Sequence, residues 1–278
     1  MALRFVKRNV YFLSFLGFLA LASCESNETN GLLNEELTAE EVLNVVLEDN
    51  ISSDVEEVIE DDAALGEVAG KGTESANKHP ECVTRTVEET ADGKIVTIDF
   101  GTDCTGKKGR VFKGKIIIEY VKVNGEFSKT VTFENFSING NSIVGTISVS
   151  KVKENINGNP ERSYAINLTI TLRTGEVIIK KGEKVKEMIE GADTDDRGDD
   201  VFLISGFWES VNKAGKTIKV TITTSLRREY ACKYIVSGVV EITKGEREYT
   251  VDFGDGSCDN LVTITDADGN TKEITLKD

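Results

Sequence analysis

Five aspartates crowd one short segment, DTDDRGDD, at Asp193, Asp195, Asp196, Asp199 and Asp200. Carboxylate oxygens at that density are the chemistry of a calcium site, and Asp193, Asp195 and Gly198 stand where a calcium-binding loop has its first, third and sixth positions. Arg197 then occupies the fifth position, which wants an acid or amide, and Ile204 the twelfth, which wants a bidentate glutamate. The simpler reading is a solvated loop between strands, and no metal is assigned. Arg197-Gly198-Asp199 also spells a tripeptide that some adhesion receptors bind, but three residues are a weak motif.

A second constellation is a pair of carboxylates. Asp99 in IDFGTDC and Asp252 in VDFGDGSC repeat one local pattern, and two acids flanking a glycosidic bond can hydrolyse it. Each lies between two apolar residues, however, so strand alternation points it to the solvent face, where an acid at a strand end accepts from nearby backbone N–H groups. His79 is the only histidine, which removes a histidine relay and a histidine-rich zinc site. Trp208 is the only tryptophan; with Phe207 it makes a thin carbohydrate platform, and core packing is the better reading for one of the two. No catalytic residue and no cofactor is assigned.

The cysteines carry chemistry of another kind. Arg4, Lys7 and Arg8 precede an uncharged run from Val10 to Ala22, a span of 13 residues, followed by Leu21-Ala22-Ser23-Cys24. A membrane-crossing helix needs about 20 apolar residues, so this reads as a secretory signal segment. LASC resembles the lipobox of bacterial lipoproteins. That resemblance implies cleavage before Cys24 and acyl chains on it, and two or more chains hold firmly to a bilayer at about 0.8 kcal/mol per buried methylene. Glu25-Ser26-Asn27-Glu28 is similar to the acidic patch of surface lipoproteins of the Bacteroidota. The implied location is the cell envelope on the outer membrane, with the periplasmic or surface face left open.

Four cysteines remain: Cys82, Cys104, Cys232 and Cys258. In an exported chain an even number suggests two disulfides, with three connectivities. The echoing segments each end in a cysteine and follow another, and Gly93 and Gly245 lie midway within the two pairs. Folding at those glycines predicts Cys82 with Cys104 and Cys232 with Cys258, each contributing about 3 kcal/mol.

These residues must be positioned by the rest of the chain. Residues 25–80 hold 16 acids against Lys71 and Lys78, so most of the formal charge of -15 belongs to that segment. An acidic segment and a nearly balanced remainder offer nothing to a phosphate backbone, and nucleic acid is not an expected partner. Thr38 with Glu41 forms a capping box, with Leu37 and Val42 as its staple, and Ser53 with Glu56 signals a second start. The spacing predicts two short acidic helices, each marginal alone, that either fray or dock on the body, and then a flexible linker over Gly66–Lys78.

After Cys82 the apolar period becomes two. Tyr164, Ile166, Leu168, Ile170 and Leu172 alternate with polar residues, and Asn124-Gly125, Asn139-Gly140, Asn157-Gly158 and Asp268-Gly269 supply hairpin turns. About fourteen antiparallel strands are expected, an all-β meander curled into a barrel or a sandwich. Gly114, Gly145, Gly206 and Gly238 sit inside or beside β-branched runs and mark bends. The domains are therefore 1–23 as signal peptide, 24–80 as acidic tether and 81–278 as β domain. The lipobox, acidic stalk and β-rich domain together resemble a set of uncharacterised lipoproteins of the Bacteroidota.

The expectation is a lipid-anchored, non-enzymatic binding or structural module, with the membrane at Cys24 and an unidentified ligand or envelope protein as partners. Two alternatives are a carbohydrate-directed enzyme using Asp99 and Asp252, and a carrier holding apolar cargo in a curved sheet. The interior separates them, because a carrier needs an unfilled concave face.

Overall fold

The computed structural model describes residues 36–68, 80–106, 109–123, 126–194 and 196–276. Cys24, the signal segment, Glu25–Glu28, His79 and Asp195 lie outside the described residues, as does most of the expected linker.

Among the described residues one α-helix, α1 (Ala39–Val68), precedes fourteen strands: β1 (Thr84–Glu89), β2 (Gly93–Asp99), β3 (Cys104–Thr105), β4 (Val111–Val123), β5 (Glu126–Ile138), β6 (Asn141–Val152), β7 (Glu161–Thr171), β8 (Val177–Glu190), β9 (Val201–Asn212), β10 (Thr217–Glu229), β11 (Ser237–Lys244), β12 (Arg247–Asp255), β13 (Leu261–Asp266) and β14 (Thr271–Thr275). All pair antiparallel with sequence neighbours in one sheet; only β3 leaves the path, pairing with β4 beside β2. The all-β meander expected from the alternation is therefore present. It is not a closed barrel, because β1 and β14 remain its edges.

The sheet curls, and α1 shows by how much. Its Asp62 reaches Arg85 on β1, while Glu60, two residues earlier on the same helix, reaches Tyr230 just after β10. Laid flat, those strands would stand about 40 Å apart at ~4.8 Å per strand, yet one helix of roughly 10 Å diameter touches both at the same level. The bends come where glycine permits them. Gly145 and Gly206 hold φ of 122° and 132°, and a Cβ there would stand 2.2 Å from the Asn167 carbonyl oxygen and 2.1 Å from that of Glu183. The register slips beside Gly114 and Gly238, the other two expected bends.

Two apolar clusters form inside the curl. Val96, Ile98, Phe100, Phe136, Ile147 and Ile166 of the first half of the sheet pack with Ile51, Val55 and Ile59 of α1. Phe202, Trp208, Val220, Val240, Val251 and Phe253 of the second half pack with Val42 and Val45. The helix thus joins two cores. Both disulfides pair as expected, Cys82 with Cys104 and Cys232 with Cys258, at Cα separations of 5.6 and 5.4 Å.

One expectation about the acidic segment is corrected: where two short helices were expected it forms a single helix of 30 residues, and of the two courses open to it, fraying or docking on the body, it docks as a core element. The first helix start is real: Thr38 Oγ1 accepts from the Glu41 amide, and Glu41 accepts from the Thr38 amide. Ser53 does not begin a second helix, because its neighbour Ser52 is wholly buried and donates its hydroxyl to the Asp49 carbonyl within a continuing turn. A helix enclosed by a sheet has little one-sided apolar pattern to read.

Candidate functional site

Among the described residues the densest chemistry lies where α1 meets β8. Glu48, Ser52, Glu56 and Glu60 recur every four residues and share one stripe of the helix, and they are 1 %, 0 %, 0 % and 2 % exposed. Opposite them, Lys180, Lys184 and Lys186 have the same strand parity as buried Ile178 and Met188, so all five side chains point inward. The rises agree. Asp49 to Glu60 spans about 16 Å along a helix, and Lys180 to Lys186 about 20 Å along a strand.

The resulting ladder is specific. Lys180 Nζ donates to Asp49 at 2.8 Å and lies 4.3 Å from the centre of the Trp208 ring. Lys184 reaches Asp49 at 3.1 Å and Glu56 at 2.9 Å, and Lys186 reaches Glu60 at 2.9 Å. Glu60 is the hub of the upper end: it also accepts from the hydroxyls of Tyr164 at 2.6 Å and Tyr230 at 3.0 Å, and pairs with Arg197. At the lower end Glu48 accepts from the Trp208 indole N–H at 2.9 Å and from the Ser210 hydroxyl. Toward the first half of the sheet, Arg110 bridges Asp54 and Glu57, and Asp62 accepts from Tyr120.

Burial alone would push these carboxyls up. For Asp49 the ammoniums of Lys180 and Lys184 outweigh it, and for Glu60 those of Lys186 with Arg162 and Arg197 do, so both stay well below the usual carboxylate range. Glu48 lacks such a direct cation partner; burial wins over Lys180, and its pKa is raised. Burial and Glu60 together raise the Tyr164 and Tyr230 hydroxyls. The Lys184 ammonium is desolvated, but Asp49 and Glu56 hold it charged. Opposite charges locked face to face in this way suit holding an element in place.

The residues singled out by sequence fall elsewhere. Asp99 accepts from the Gly101 amide and Asp252 from the Gly254 amide, each within its own strand end, on β2 and β12 respectively. The aspartate loop braces itself: Asp196 accepts from the Gly198 amide, Asp199 from the Thr194 hydroxyl, and Asp200 pairs with Arg197 at 3.1 Å. Asp193 is exposed and apart from these contacts. Arg197 turns inward to Glu60 and Asp61 and stacks 4.8 Å from the Tyr230 ring, so its tripeptide is not displayed as a free motif. Trp208 is buried and Phe207 is 52 % exposed, one of the two in the core as expected. Glu229 stands beside Cys232 and Cys258, whose sulfurs are bonded to each other.

Sequence reasoning missed the ladder itself. Two signals were present: the four-residue spacing of Glu48, Ser52, Glu56 and Glu60, and the parity that Lys180, Lys184 and Lys186 share with Ile178 and Met188. Each reads as a solvated face until the other is placed against it. Beside the ladder, a hollow between α1 and β9–β12, lined by Val42, Val46, Trp208, Leu226, Val240 and Phe253, is little larger than a water molecule. Among the described residues no helix is long and apolar enough to cross a membrane. Compared with known protein families, curated proteins and solved structures, the chain finds no match.

Proposed function

We propose that this protein is a lipoprotein of the cell envelope, anchored at Cys24, whose β domain is a rigid, non-enzymatic module that binds an envelope component through its outer surface and loops. One observation supports this reading above others: the concave face of the curled sheet, where a carrier would hold cargo or an enzyme would open a cleft, is occupied by the protein's own helix. The ionised groups there are engaged with one another. The two disulfides fit an oxidising compartment.

The outer loops are braced for contact. In the β6–β7 loop, Asn155 donates to Glu161 while Asn157 and Asn159 both donate to Glu187, and these bonds hold out Ile156, which is fully exposed. An apolar side chain on a stiff loop loses little freedom on binding. A photocrosslinking residue at Ile156 should therefore trap a discrete envelope adduct in cells. A ladder of unspecific adducts, equal to that from an exposed site on β10 such as Thr223, contradicts a binding role for this loop. Mass spectrometry of the mature amino terminus tests the anchor, and an amino terminus without acyl mass contradicts it.

A further inference from the structure

The sheet has two rims, and the chain reaches α1 at only one of them. The turns β5–β6, β7–β8, β9–β10 and β11–β12 lie at one end of the strands, as the pairs Ile138 with Asn141, Thr171 with Val177, Thr217 with Val211 and Lys244 with Arg247 show. The loops 153–160, 191–200 and 230–236 lie at the other end, flanked by the pairs Val152 with Glu161, Glu190 with Val201 and Arg227 with Ser237.

The start of α1 is pinned to the first rim. Lys244 Nζ donates to the Glu36 carbonyl at 2.9 Å and to Glu41 at 2.8 Å, the Leu37 amide donates to the Tyr249 hydroxyl at 2.9 Å, and Asn44 donates to Glu176 at 3.0 Å. The helix then runs to the other rim, where Glu60 meets Tyr230 and Arg197. Because the acidic segment is inside the sheet, the covalent distance from the anchor is short. The twelve residues from Cys24 to Glu36 cover at most about 43 Å however they are arranged. The body is as tall as that tether is long, since β8 with its 14 residues spans about 45 Å.

The geometry points to a fixed polarity: the rim of the β5–β6, β7–β8, β9–β10 and β11–β12 turns faces the lipid surface, and the rim carrying Ile156, the aspartate loop and the Cys232–Cys258 disulfide faces away from it, toward partners. This rests on the lipid anchor at Cys24. For the far rim to meet the bilayer, the tether would have to be drawn out along the full height of the body.

The test uses the full, natively acylated protein in phosphatidylethanolamine and phosphatidylglycerol vesicles containing a rhodamine-headgroup lipid. A donor dye is placed at Lys213→Cys or Glu246→Cys on the near rim and at Ile156→Cys or Asp193→Cys on the far rim, all exposed positions. Two sites on each rim guard against one variant that misfolds. Energy transfer to the lipid is expected to be several-fold stronger from Lys213→Cys and Glu246→Cys. Equal transfer from both rims, as for a body lying flat, or stronger transfer from the far rim overturns the polarity while leaving the anchor standing. Protein that carries no acyl mass and fails to float with the vesicles overturns both.

Discussion

From Thr38 to Leu47, α1 is held by a cap, by Val42 and Val45 in the second core, and by polar contacts at the sheet rim. From Glu48 to Asp62 the same helix is held by buried charge as well as by Ile51, Val55 and Ile59 in the first core. The first half is a set of small, separable contacts. The second is a coupled network in which, Glu48 apart, the buried charges are tolerated because opposite charges face them, since removing one partner of a buried pair leaves an uncompensated charge. Additivity should therefore separate the two halves.

Deleting residues 36–68 should have the largest effect. It strips the apolar filling from both cores and leaves Lys180, Lys184 and Lys186 facing inward without counter-charge. Near-ultraviolet circular dichroism and thermal melts should show no cooperative transition, and a chain of residues 80–278 that melts cooperatively would refute the role given to the helix. Lys184→Met comes next, at about 3–5 kcal/mol in urea unfolding, because it withdraws a cation from both Asp49 and Glu56. Adding Glu56→Leu in the same chain should recover a large part of that loss. Simple addition of the two single effects would show that the ladder is not coupled.

Acid should act on the second half first. Asp49 and Glu60 are held below their unfolded pKa values, so the stability they contribute is complete above about pH 4.5 and is lost as pH falls through and below the ordinary carboxylate range. A loss of a few kcal/mol between roughly pH 4.5 and 2.5 is expected from denaturation midpoints. Asp200 works with the opposite sign: burial, against the pull of Arg197, pushes it up to about 6, so its contribution is present at low pH and lost as pH rises through that value. Asp200→Asn should flatten the profile between about pH 4 and 6.

The smallest effects belong to the first half. Val45→Ala should cost about 2 kcal/mol and Thr38→Ala about 1 kcal/mol. Their double variant should lose the sum; marked non-additivity in thermal unfolding would erase the contrast between the halves.

Much of the fold was legible because its signals are short-range. Tyr164 to Leu172 alternates on sight, Asn139-Gly140 and Asp268-Gly269 turn the chain, and Gly145 and Gly206 bend strands where a side chain would strike the neighbouring backbone. The cysteine pairs followed from hairpins folding at nearby glycines. Asp99 and Asp252 could also be read correctly as strand-end acids, since their acceptor role is satisfied two residues away. The helix was read only in part: Thr38 and Glu41 announce its start locally, whereas its continuation through Ser52 and Ser53 depends on what surrounds them.

Amino-acid order by itself determined the strands, their turns, the start of the helix and the pairing of the cysteines, because each rests on residues close in the chain. Tertiary structure alone decided that the most acidic segment is interior. Glu48 meets Trp208 across 160 residues and Lys180 meets Asp49 across 131. Whether a carboxylate is solvated or buried is set by the donors and charges that come to face it, and no local pattern in either partner carries that information.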